Sequence, residues 1–386
     1  MTVETSAPDT IADVAEAPPG PAATREDRFV DGLVLAIGPV ILALLTCAVL
    51  LALLGRDPIA FYRDVLQGGV LRASGLQDSI TRMAPVLLIA AGLVVAFRAS
   101  LWNLGADGQY LLAAALVAGL GPTLVASLPA PVAWVVLALV AMAVGGAWTI
   151  IPAWLKARHG LNEIVTTLMM TFIGIGIANI LVKGPFKGPQ MVPQTGVIPA
   201  ESMLADLPGT TIHIGVIVAV VVVLLVHLLL TRTSFGTRVD VLGANPRAAE
   251  HMGVDVPRLI LLSFMLSGAL VGLAAAVDIV GVFGYVRADW DPAYGLKVVP
   301  LVFLARLNAL AVIPFAIFFG ILSVGGDYAT RRAELPADFL LIVVGLLLLF
   351  MVVAHWASAR RGQGRRLLSR GGRRDTGSAT TMAADV

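Results

Sequence analysis

LWNLGADGQY, residues 101–110, sits between two apolar runs, 79–97 and 110–128. It sets Asn103, Asp107 and Gln109 among Gly105 and Gly108. In a water-soluble helical protein this is an ordinary turn. Between lipid-spanning helices it is a break that brings amides and a carboxylate to the edge of a bilayer, or into it. The choice between the two readings is settled by what flanks it. The chain of 386 residues is 58% hydrophobic and 13% charged, with a mean hydropathy of +0.89. Soluble domains carry about 25% charged residues, so this chain lacks the polar surface to cover itself in water. It reads as an all-α integral membrane protein.

A bilayer is crossed by about 20 apolar residues in a helix. Such runs occur at 33–54, 79–97, 110–128, 131–155, 164–182, 212–230, 259–283, 307–326 and 339–357, with a shorter piece at 296–305. Counting the short piece predicts ten spans; leaving it out predicts nine. With ten spans and both termini inside, most of the 27 Lys and Arg residues fall on the inner side, as the positive-inside rule requires. Residues 1–32, rich in Ala, Pro and acids, read as a disordered cytoplasmic tail. Residues 33–357 form the transmembrane domain, and 358–386 a basic cytoplasmic tail whose seven arginines suit anionic lipid. Cys47, the single cysteine, has no partner for an internal disulfide or a metal site. A net charge of +2 carries no global basic field for nucleic acid.

The polar loop 231–258 is predicted to hold a short helix, Pro246 to Met252. Asn245 is its N-cap, Pro246 its first residue, and Gly253 follows its end. Such a helix is either an ordered connector or a docking element for a soluble partner. Here a family resemblance enters. Thr233, Gly236, Gly243, Asn245, Pro246, Ala248, Ala249, Gly253 and Val254 resemble the cytoplasmic loop of permease subunits of bacterial ABC importers for simple sugars, nucleosides and branched-chain amino acids. Ser267, Gly268, Gly272 and Leu273 resemble a second signature of that family, a small-residue helix face. NLGADGQ, residues 103–109, is similar to a third, N-I-G-x-E-G-Q, best matched in the nucleoside branch, with Asp107 where Glu is more usual. HGLNEIVTTLMMTFI, 159–173, and the stretch 293–322 also resemble family segments, although the second lacks an expected Pro after Asn308. The resemblance covers roughly residues 35–357.

The resemblance implies a type II-like ABC importer permease bundle in the bacterial plasma membrane. It implies a separate ABC ATPase docked on the loop at Gly236, Gly243, Asn245, Pro246, Ala248, Ala249 and Gly253. It further implies a second, homologous permease chain, a substrate-binding lipoprotein outside, and a nucleoside or sugar solute. The chain has no G-x-x-x-x-G-K-[ST], so no cofactor is expected on it and ATP belongs to the partner.

Polar residues in a helix break or deep in a span are candidates for a substrate path. Asn103, Asp107, Gln109 and Asp278 are those candidates. For Asp107 the plainer reading is a cap on the helix that follows, and for Asp278 a place near the outer water. Asn162 and Glu163 start a helix, where Glu163 favours the dipole or serves an inner gate. Phe283, Tyr285, Trp290 and Tyr294 read as an interfacial belt or a stacking path. Driving by an ion gradient through Asp107 or Asp278 is the rival mechanism. No catalytic constellation supports an enzyme.

Overall fold

The computed structural model describes residues 25–336 and scattered helical positions from 339 to 354, with side chains from residue 37. Residues 1–24, the C-terminal tail and most of the run 339–357 lie outside the described residues, while 25–32, expected in the disordered tail, are the start of a helix. Contacts divide the chain into Pro39–Met351 and a second unit of the two ends, Met1–Gly38 with Val352–Val386. The first unit holds the helical bundle.

Helices dominate the described residues, with a mostly non-helical connection at 184–214. In order come α1 (Arg25–Leu53), α2 (Pro58–Leu66), α3 (Ala73–Arg98), α4 (Ala106–Ser127), α5 (Ala130–Trp148), α6 (Ile150–His159) and α7 (Glu163–Lys183). Then come α8 (Gly215–Arg232), α9 (Ser234–Ala244), α10 (Pro246–His251), α11 (Val256–Asp278), α12 (Tyr294–Leu304) and α13 (Val312–Arg332). Among the described residues seven helical segments are long and apolar enough to cross a membrane, α5 and α6 counting as one. The apolar part of α1, Ile37–Leu53, and α12 are shorter. The count of ten therefore includes one half-length helix, and its last member falls outside the described residues.

Local chemistry sets the helix ends. Asn162 Oδ1 accepts from Ile164 N at 2.9 Å and starts α7. Asp255 Oδ1 accepts from Arg258 N at 3.1 Å and starts α11. Gly160, at φ 64°, ends α6 in the left-handed region, where glycine meets no steric cost.

α3 is the hub, buried almost all round and packed on α11, α13, α8 and α12. The tightest pair is α5 with α11. A Cβ on Gly145 would strike Gly268 O, and one on Gly272 would strike Ala141 O. Small residues four apart bring two backbones into contact, which is how helices associate where lipid removes the hydrophobic drive. Leu45, Val49, Val135, Leu139, Phe172, Ile180 and Leu225 are exposed, as lipid-facing side chains should be. Cys47 is buried against Leu51, Phe61 and Val65 as a small core residue.

Candidate functional site

The 101–110 stretch is a non-helical connection, 101–105, followed by the first turn of a helix. α3 ends at Arg98, the chain continues without helical structure, and α4 begins at Ala106. α12 runs alongside. Phe303, near its far end, stacks on Phe97 at 5.2 Å and meets Trp102 at 5.5 Å. Gly295, at its start, donates its N–H to Asp107 Oδ1 at 2.6 Å. Eight residues of helix separate those levels, roughly 12 Å. Asp107 thus sits well inside the bundle.

Asp107 caps a helix, but not the one that follows it. α4 starts at Gly105 with no side-chain cap; the Asp107 carboxylate instead holds the N-terminus of α12, 188 residues on. The free N–H groups and the positive dipole end of α12 meet a negative charge there. The fit is close: a Cβ on Gly295 would lie 2.8 Å from Asp107 Oδ2. Sequence could not foresee this, because the partner is distant in the chain: the apolar piece 296–305 marks α12 but not what its start rests on.

Asn103 and Gln109 form a closed knot. Gln109 Nε2 donates to Asn103 Oδ1 at 2.8 Å, and Asn103 Nδ2 donates to Gln109 Oε1 at 3.2 Å. Asn103 Nδ2 also donates to Ser267 Oγ on α11 at 3.0 Å, and Gly105 N donates to Asn103 Oδ1 at 3.2 Å. Asn103 and Ser267 are fully buried. Each of these amide atoms is satisfied within the protein. The two amides face each other rather than an open cavity.

Asp278 is buried and accepts from the Tyr110 hydroxyl; the expectation of a solvated acid near the outer water is corrected. Tyr294 and Arg82 are its further polar neighbours. Of the predicted aromatic cluster Tyr294 is buried, and Phe283, Tyr285 and Trp290 are half-buried; Tyr110 meets Tyr294 at 5.3 Å and Trp290 at 6.2 Å, and Trp290 meets Phe283 at 4.9 Å. Glu163 is buried and pairs with Lys156 Nζ at 2.8 Å.

At the α3 end nearest this non-helical connection lies the 231–258 loop. α10 begins at Asn245, whose Oδ1 accepts from Arg247 N at 3.0 Å and Ala248 N at 3.2 Å, and Gly253 follows at φ 76°. The preceding α9 was not anticipated, because its mixed composition gives no clear apolar period. α9 is clamped to the end of α3. Arg98 reaches Asp240 through both Nε, at 2.7 Å to Oδ1, and Nη2, and Ser100 Oγ donates to Gly243 O at 2.7 Å. A Cβ on Gly243 would strike Arg98 O. Ala249 is buried under α10, whereas Arg247, Glu250 and Met252 face outward. Arg98, Asp240, His227 and Arg306 line a polar cavity of about 470 Å³ beside the clamp.

A second polar cavity, about 360 Å³, opens at the opposite end of α3, lined by Asp78, Thr81, Arg82, Asp327, Tyr328 and Arg331 among others. None of these was singled out from sequence. Asp327 stands one residue past the run 307–326, and charges at run ends read as ordinary span termini. A carboxylate one helical turn before Arg331 on α13, and another before Arg82 on α3, was the signal available.

Also at that end, His213 is buried beside Gly281. Its Nδ1 accepts from Gly215 N at 3.1 Å, and its Nε2 has no partner. Burial pushes its pKa below the ordinary 6.5, partly opposed by Asp206.

The model of a family described as branched-chain amino acid transport system permease component matches residues 75–352. A glucose ABC transporter permease protein of Haloferax volcanii is 32% identical over 334 residues, covering 82% of this chain and 86% of its own length. A guanosine ABC transporter permease protein of Bacillus subtilis is 25% identical, covering 82% and 92%. A nucleoside ABC transporter permease protein of Lactococcus lactis is 24% identical, covering 81% and 89%.

Proposed function

The chain belongs to the family of branched-chain amino acid transport system permease components, and from that premise we propose that it is the membrane subunit of an ATP-driven importer for nucleosides or simple sugars. A separate ABC ATPase docks on α10 at the cytoplasmic face, where both termini lie. A second permease chain completes the path, and a substrate-binding lipoprotein delivers solute from outside. The relatives named for glucose, guanosine and nucleosides support the solute class.

The observation that carries the coupling role is the clamp between α9 and α3. A push on the exposed face of α10 passes through the buried Ala249 and through α9 to Asp240 and Gly243. From there it reaches Arg98 and Ser100. Those residues lead into the non-helical connection, and the α4 turn that follows it holds Asp107, on which the N-terminus of α12 rests. Motion at the docking helix is thereby transmitted to a broken helix inside the bundle. Helix breaks of this kind are where transporters place their moving parts and solute contacts. In this scheme Asn103 and Gln109 keep the segment in shape, Asn162 and Glu163 hold the neighbouring inner turn, and Asp107 and Asp278 border the path.

The test is purification of the chain in mild detergent from cells that make it with its partners, followed by an ATPase assay. The expected result is a co-purifying ATPase whose hydrolysis loses its link to uptake when Gly243 or Ala249 is replaced by Leu. Solute uptake by this chain alone, in vesicles without ATP, would overturn the proposal and favour an ion-coupled carrier.

A further inference from the structure

The cavity at the Asp78 end of α3 is lined by two carboxylates and two guanidinium groups: Asp78 and Asp327, Arg82 and Arg331. Charges this close in an apolar bundle ordinarily pair. Among the described residues these four enter none of the ion pairs found within 4.0 Å. Lys297 lies within electrostatic reach of Asp327, but its ammonium donates to Pro292 O at 2.7 Å. Thr81, 9% exposed, also lines the cavity, and its Oγ1 has no hydrogen-bond partner.

The cavity has a graded depth. Asp78 and Arg331 are exposed at its mouth, Arg82 and Asp327 are half-buried, and Thr81 is buried. Behind Arg82 stand Asp278, Tyr110 and Tyr294. Its volume, about 360 Å³, falls within the range of small-ligand pockets, about 300–1,000 Å³. The four lining charges balance. An anion or a cation gains from one pair what it loses to the other. A neutral molecule with several hydroxyls can donate to the carboxylates and accept from the guanidinium groups, using both pairs at once.

We propose that this cavity is a solute chamber of the permease, in which Asp78, Arg82, Asp327 and Arg331 hold a neutral, polyhydroxylated solute on its way through the membrane. The inference rests on the importer reading and deepens it, since nothing in the comparisons assigns these residues.

The test uses the importer assembled with its partners in lipid nanodiscs. In a Cys47→Ser background, cysteine is placed at Val282 and Val324, which line the cavity without holding solute, and, as a control outside the cavity, at Thr211. Modification by a small methanethiosulfonate reagent is timed alone and with glucose, ribose or uridine. The expected result is several-fold protection at 282 and 324 by at least one of these solutes, none at 211, and weaker protection by the charged analogues glucosamine and gluconate. Unchanged rates at 282 and 324 with all three neutral solutes overturn the chamber. Equal protection by the charged analogues overturns its charge-balance logic. Loss of the ATPase from the preparation counts against the importer reading alone, because protection is read on this chain whether or not ATP is hydrolysed.

Discussion

Two of the polar regions that interrupt this apolar bundle are built on opposite rules. In the knot at Asn103, two amides, a serine hydroxyl and a backbone N–H satisfy one another with no space between them. In the cavity at Arg82 and Asp327, charges surround open space and leave one another unpaired. Low dielectric makes both expensive unless something answers them. The knot is answered from within, so it fixes backbone shape. The cavity is answered from outside the chain, so its groups are free to act on a visitor. The polar residues most conspicuous in the sequence belong to the first kind.

The comparison is most exposed to failure at Asn103. Asn103→Leu orphans groups on Gln109, Ser267 and Gly105, and should destabilise the protein by about 3 kcal/mol. Thermal melting in detergent should then fall by roughly 4 °C. An unchanged melting temperature would mean that the knot is not structural and would erase the contrast.

The clamp comes next. Arg98 and Asp240 have side chains 21% and 46% exposed, so the pair is worth about 1 kcal/mol or less in stability. Arg98→Met should therefore melt nearly as wild type while ATP hydrolysis in the complex becomes unresponsive to solute. Equal losses of stability and coupling would assign the clamp to the scaffold instead.

His213 is an intermediate case, with one nitrogen satisfied and one orphaned. Its pKa is lowered in the folded state, so protonation favours unfolding. Stability is whole above the ordinary pKa of 6.5 and declines as pH falls below it, levelling off below the folded pKa. His213→Gln should flatten that decline in melting curves taken from about pH 7.5 to 5. A slope that survives the substitution would place the titration elsewhere.

The smallest effect is expected in the cavity. Asp327 has no close ion pair to lose among the described residues, so Asp327→Asn should change stability by no more than about 0.5 kcal/mol. A large drop on melting would show that its charge is answered within the chain after all.

Much of this architecture is legible in sequence, and what is not has a common cause. Apolar runs mark the helices because lipid demands them, and Asn245, Pro246 and Gly253 mark α10 because capping is local. NLGADGQ announces a break. The use of that break is hidden, because each partner is remote: Ser267 is 164 residues from Asn103, Gly295 is 188 from Asp107, and Asp240 is 142 from Arg98. α12 is legible as the short apolar piece 296–305, but its start inside the bundle against Asp107 is not. The cavity escapes because its charges, taken singly, look like the ends of spans.

The backbone contact between α5 and α11 has a consequence for how the protein is made. Gly145 emerges from the ribosome well before Gly268 and Gly272, on the order of ten seconds at ordinary synthesis rates. Until α11 arrives, the glycine face of α5 has only lipid or a transient companion to lie against. Biogenesis therefore includes a waiting state, and insertion factors that shelter a half-finished bundle are most needed in that interval.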